Sequence, residues 1–203
     1  MAFLFPIGRI ISDTSVVVRD SAEEAVQALL EGALGNAVET GMSSANWPTL
    51  VQFNTPNNGD FPSVGNPLYI WDSADNSNPG KRLGFAKAID IPAGQDIPFV
   101  LHLFVFADNA VKARAQIFSK GATPTEQLDI TDGFLLDNSF NLTSGSNKPP
   151  FEWQNVRYYS KAFQNNAQGQ QVVVSFEVQN YIGGSFDPGA LMFVADLYSP
   201  NTF

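Results

Sequence analysis

The chain has no cysteine among its 203 residues. That excludes disulfides, thiolate metal sites and cysteine nucleophiles, so stability has to come from packing. Histidine occurs once, as His102. A Ser-His-Asp arrangement would rest on that single ring, and no Gly-x-Ser-x-Gly turn accompanies it. Transition metals lack their usual nitrogen and sulfur donors. Charge is also scarce: Asp, Glu, Lys and Arg make up 15% of the chain, against about a quarter in ordinary globular domains. Positive charge is scarcest, with 11 Lys and Arg against 20 Asp and Glu, a net charge of −9. Nucleic acid and anionic membrane both need dense cationic patches, so neither is an expected partner. The deficit is concentrated early, since residues 1–78 carry only Arg9 and Arg19 against nine acids. No apolar run approaches the roughly 20 residues of a membrane span. Met1 to Arg9 lacks the basic and long apolar regions of a signal peptide.

What replaces charge is Asn, Gln, Ser and Thr, which make a surface that is cheap to desolvate, together with 17 Phe. The most apolar stretch is Ile97 to Phe106, Ile-Pro-Phe-Val-Leu-His-Leu-Phe-Val-Phe. Its β-branched and aromatic content predicts a strand. Odd and even positions are both apolar, which predicts a central strand covered on both faces. One cover is a second sheet. The other is expected from the N-terminal arm, the neighbouring helix or another subunit. His102, inside this strand, reads as a hydrogen-bonded polar group in covered surroundings rather than a catalyst.

Residues 1–19 form an apolar, non-periodic arm with Phe3, Leu4, Phe5, Ile7, Ile10 and Ile11. Exposing it costs about 25 cal/mol per Å² of apolar area. It must lie on its own domain or on a neighbour, and exchanged between copies those six residues would form a subunit interface. Residues 20–36 predict the one helix. Ser21 and Glu24 make a capping box, Glu23 and Glu24 sit in the first turn, and Val26, Leu29, Leu30, Ala33 and Leu34 form an apolar stripe that Gly35-Asn36 stops. Residues 37–198 then read as the sandwich domain, loop-rich from Gly41 to Pro79 with short strands at Trp47–Phe53 and Leu68–Trp71 and strand after strand from Arg82 onward, with 199–203 as a short tail. Leu83–Ile91, Ala110–Ser119, Phe151–Phe163, Gln171–Tyr181 and Ala190–Tyr198 are the clearest, and Ala110–Ser119 alternates as if one of its faces were wet. The expected fold is all-β: a jelly-roll-like antiparallel β-sandwich of about 8–10 strands with one N-terminal α-helix.

Candidate chemistry is sparse. Asp72, Asp75 and Asn76 could offer oxygens to calcium, as could Asp129 with Asp132, but neither set has the EF-hand spacing, and Asx-rich turns form without ions. Neither a metal site nor a cofactor is therefore assigned. Glu152 and Glu177 are the only acids on aromatic-rich strands, and a glycosidase pair needs two carboxylates facing across a cleft. No catalytic set is assigned. Trp47, Trp71 and Trp153, with Tyr158 and Tyr159, could stack sugars, although large aromatics more often fill cores and interfaces. Asn141-Leu-Thr143 fits a glycosylation sequon.

These features point to a non-enzymatic, self-assembling subunit of a virus particle: a capsid, decoration or head-surface protein in a virion or other extracellular assembly. Its expected partners are copies of itself, as a homo-oligomer, and other structural proteins of the same particle. The alternatives are a carbohydrate- or receptor-binding sandwich module and a subunit of a cell-surface filament.

Overall fold

Period-2 patterning dominates the chain, and it folds into two antiparallel sheets facing each other. The computed structural model describes residues 3–45, 47–50, 60–91, 98–119, 124–130, 156–164, 170–180 and 187–201. Among these, the strands are β1 Phe3–Ile11, β2 Val17–Arg19, β3 Val38–Glu39, β4 Ile70–Trp71, β5 Arg82–Ile91, β6 Pro98–Asp108, β7 Ala110–Ser119, β8 Pro124–Ile130, β9 Arg157–Gln164, β10 Gln170–Gln179 and β11 Ala190–Asn201. A single helix, α1 Ala22–Leu30, precedes β3. The first sheet runs β3-β4-β11-β6-β9, with β1 also on β11; the second runs β2-β5-β10-β7-β8. The all-β sandwich with one helix is therefore the fold, with eleven strands among the described residues.

Alternation decides what faces inward. Phe99, Leu101, Leu103 and Val105 of β6 enter the space between the sheets, where they join Val172, Val174, Phe176 and Val178 of β10. Phe176 and Phe193 meet across that space with ring centroids 4.6 Å apart. Each buried Phe or Val contributes roughly 1.5–3 kcal/mol over an exposed one.

β6 is not covered on both faces along its whole length, as its composition suggested. Its even positions divide. Phe106 is buried under Trp47 and Leu50, in a second cluster with Met192 and Val194 that Tyr69 borders. Val100, His102 and Phe104 are only half-buried. The cover over Phe106 is thus the irregular segment before β4, which was not among the three candidates. The helix instead covers the second sheet, where Ala25 and Val26 pack on Ala86, Phe118 and Val173.

The apolar arm lies on its own domain as β1. Ile10 and Ile11 are buried in the chain's own clusters, Ile7 packs against the main core, and Leu4 and Phe5 are exposed, at 49% and 45%. Phe3 pairs with Asn201 through its backbone, so β11 runs on into the stretch taken for a tail. Of the residues expected at a subunit interface, Ile10 and Ile11 are thus buried within their own chain.

The helix begins where expected: Ser21 is the N-cap and its Oγ accepts from Glu24 N at 3.2 Å. It ends early, at Leu30, because Gly32 takes a left-handed conformation at φ 85°. Leu34, expected on the apolar stripe, is 88% exposed. Gly84 lets the helix start lie directly on β5, since a Cβ there would sit 1.9 Å from the Ser21 backbone.

Candidate functional site

The register of four strands builds one surface on the outer face of the first sheet. Arg9 of β1 pairs with Asp196 of β11, Asp196 with His102 of β6, and His102 with Ser160 of β9. One row away, Ile11, Val194, Phe104 and Tyr158 line up; on the other side, Pro6, Tyr198, Val100 and Ala162 do. The result is a strip of rings flanked by polar groups. Tyr158 is 51% exposed and lies 4.8 Å from Phe104, centroid to centroid. It stacks on His102 at 5.8 Å and 10°, and His102 meets the edge of Tyr198 at 5.6 Å. Phe61 continues the strip, edge-on to Tyr198 at 5.6 Å.

The polar groups are fixed. His102 Nδ1 and the Tyr158 hydroxyl are 2.5 Å apart. A tyrosine O–H donating to Nδ1 leaves the ring proton on Nε2, where it can donate to a ligand. Tyr198 donates to Asp60 Oδ2 at 3.3 Å. Burial, then the neighbouring Asp196 and Asp60 carboxylates, push its phenol up to about 12, so it remains protonated and a donor. Beneath the strip, Arg9 Nε and Nη2 donate to Asp196 Oδ1 and Oδ2 at 2.5 and 2.6 Å, and the Arg9 guanidinium lies 4.8 Å over the Phe61 ring. This bidentate pair is buried on both sides and anchors β1 to β11 under the aromatic surface.

Trp47 and Trp71 are not the platform. Trp71 is fully buried and Trp47 is 6% exposed. Trp47 is held by an Nε1–H donated to Asp108 Oδ2 at 2.7 Å. Neither presents a face to a sugar, because rings this large fill the sandwich interior and its flanking cluster. Trp153, Glu152, Asp132 and Asn141 lie outside the described residues, and Asp129 sits on β8 opposite Arg114. Tyr159 turns inward against the main core. Among the described rings of this strip, Tyr158 is the one that the fold leaves exposed. The sequence signal for this surface was the alternation of Val100, His102 and Phe104 with the core positions, and of Tyr158 with Tyr159.

Nor are the calcium candidates brought together. Asp72 is engaged by Lys81. Asp75 Oδ1 accepts from Ser77 N and Oγ at 3.3 and 2.8 Å, an Asx turn. Asn76 points inward and donates Nδ2 to the Met42 and Gly189 carbonyls at 3.1 and 2.8 Å. Among the described residues no group of three or more His, Asp or Glu side chains is placed to hold a metal ion. Glu177 is buried on the second sheet and ion-paired with Arg82. No helix among the described residues is long and apolar enough to cross a membrane.

No family model matches the chain, and a search of curated proteins finds no match. Solved structures do match. A carbohydrate-binding module, TmCBM61 in complex with β-1,4-galactotriose, is 11% identical over 96% of this chain and 89% of its own, with a TM-score of 0.32. A family 35 carbohydrate-binding module from Clostridium thermocellum is 9% identical over 93% and 97%, with a TM-score of 0.36. The N-terminal cellulose-binding domain of a Cellulomonas fimi β-1,4-glucanase is 14% identical over 67% and 78%, with a TM-score of 0.28.

The likeness is one of sandwich architecture only. These neighbours are carbohydrate-binding modules and none is a virus-particle subunit, so the virus-particle expectation is not borne out. The physical ground for that correction lies in the fold. The apolar arm and the doubly apolar strand, which suggested assembly, are largely consumed inside one chain, as β1 and as the floor under Trp47.

Proposed function

We propose that the chain is a non-catalytic carbohydrate-binding sandwich that takes neutral glycans on the outer face of the first sheet. The observation that carries this reading is the half-exposed Tyr158 ring, continuous with His102, Phe104 and Tyr198 and flanked by Ser160 and Asp60. A pyranose has an apolar face that stacks on such a ring, while its hydroxyls need donors and acceptors at the rim. The imidazole Nε2, the Ser160 hydroxyl and the Asp60 carboxylate supply both kinds. Neutral glycans are favoured over anionic ones by the net charge of −9 and by Asp60 at the edge of the strip.

The test is a calorimetric titration with a panel of neutral oligosaccharides that includes β-1,4-galactotriose and a β-1,4-glucan, using the unmodified chain and Tyr158→Ala. Binding to at least one member is expected, with an affinity lowered about ten-fold by the substitution, the scale of one lost stacking contact. Absence of binding across the panel, or equal affinity in Tyr158→Ala, contradicts the assignment.

A further inference from the structure

The outer face of the second sheet carries a separate feature, one that does not rest on the glycan reading. Helix α1 leans over β5 and β10 and leaves a groove of about 180 Å³ between itself and β7. Its two ends differ. Arg114 and Ser175 are register partners on β7 and β10 and line one end. Four residues further along β7, roughly 13 Å away, Phe118 meets Val26 and Leu30 of the helix and makes the other end apolar.

Two observations point to an occupant. Ser175 is 1% exposed, and its Oγ, buried at the groove floor, has no hydrogen-bond partner among the described residues. Native structures rarely leave a buried hydroxyl unsatisfied. Beside it, Arg114 supplies a guanidinium whose side chain is 19% exposed. Arg114 Nη1 donates to Glu23 Oε1 at 3.1 Å, but Glu23 is 63% exposed, and a solvated carboxylate holds its partner weakly. A carboxylate arriving inside the groove would meet the same cation with less water around it.

We propose that this groove binds a small amphipathic monocarboxylate. Its carboxylate replaces Glu23 on Arg114 and accepts the Ser175 hydroxyl hydrogen bond, and its alkyl chain runs along Val26 and Leu30 to Phe118. Octanoate is the probe, with octanol as the uncharged control, followed by amide chemical shifts of the isotopically labelled full chain. Saturable one-to-one binding is expected, with shifts confined to α1, β7 and β10, and octanol binding at least ten-fold more weakly.

Arg114→Gln should weaken octanoate at least ten-fold and leave octanol unchanged. Glu23→Gln, which removes the carboxylate bonded to Arg114 Nη1, should tighten octanoate about two- to five-fold. Gln27→Trp, on an exposed position at the rim, should block both ligands without touching the floor. Shifts that fall elsewhere or do not saturate overturn the site. Equal affinity for octanol and octanoate, or no effect of Arg114→Gln and Glu23→Gln in folded protein, overturns the carboxylate.

Discussion

Replacing Arg9 by Met tests whether the N-terminal segment is a strand of its own domain. Arg9 reaches from β1 to Asp196 on β11 through two short hydrogen bonds, and the two side chains are 1% and 6% exposed. Removing the cation leaves a carboxylate buried without its countercharge, which costs about 3–5 kcal/mol in comparable sites. Domain stabilities are about 5–15 kcal/mol, so Arg9→Met should fold but lose a large part of its margin. With a urea slope of about 2 kcal/mol per molar, the unfolding midpoint should fall by about 2 M.

The double variant Arg9→Met with Asp196→Leu removes both charges and keeps the volume. Replacing a buried pair by packed apolar groups is commonly neutral or stabilising, so its unfolding free energy should return to within about 1 kcal/mol of the parent. Tryptophan fluorescence under urea reads both, since Trp47 and Trp71 are buried. High salt should change the result little, because a buried pair is poorly screened. A loss below about 1 kcal/mol in Arg9→Met, or additive losses in the double variant, would refute the docking of β1 on β11.

Two further predictions concern stability. Burial, with a smaller contribution from Asp187, pushes the Asp108 carboxyl up to about 8 against the Trp47 hydrogen bond that lowers it. Between about pH 4 and 8 the folded chain keeps a proton that the unfolded chain releases. Stability should therefore fall as pH rises through that window, by up to about 1.4 kcal/mol per unit, and level off above it. Asp108→Asn should flatten the slope in a series of urea midpoints, and parallel profiles would contradict it. Gly84→Val should push α1 off β5 because its Cβ would overlap the Ser21 backbone. A loss of about 2–4 kcal/mol by denaturation is expected, and an unchanged midpoint would mean that the helix does not sit there.

The sandwich was legible because its signals are local. Val111, Ala113, Ala115 and Ile117 on β7, and Val172 to Val178 on β10, alternate with period 2 and do face the core. Ser21 and Glu24 mark a helix start that depends only on neighbouring atoms. The helix end was misjudged because the apolar pattern continues to Leu34, whereas backbone conformation at Gly32 had already turned the chain. What covers Phe106 was missed for a different reason: Trp47 and Leu50, expected on a short strand, lie in an irregular segment about sixty residues away in sequence, and local pattern does not show where such a segment packs.

The candidate site lies between these cases. His102, Tyr158 and Tyr198 each sit on a readable strand, but their adjacency comes from cross-strand register, which pattern alone does not set. Size also misled. Trp47 and Trp71 were weighed as sugar platforms against the commoner role of core packing, and their large apolar surfaces do drive them inside, while the smaller, hydroxyl-bearing Tyr158 is left at the surface.

The glycan-binding account is tested most directly by mapping amide chemical shifts as a bound neutral oligosaccharide is titrated into the isotopically labelled chain. The account predicts saturable shifts centred on β6, β9 and β11 around His102, Tyr158 and Tyr198, and their disappearance in Tyr158→Ala. Saturable shifts confined to the second sheet or to the connections at the ends of the sandwich, with β6 and β9 silent, would contradict it.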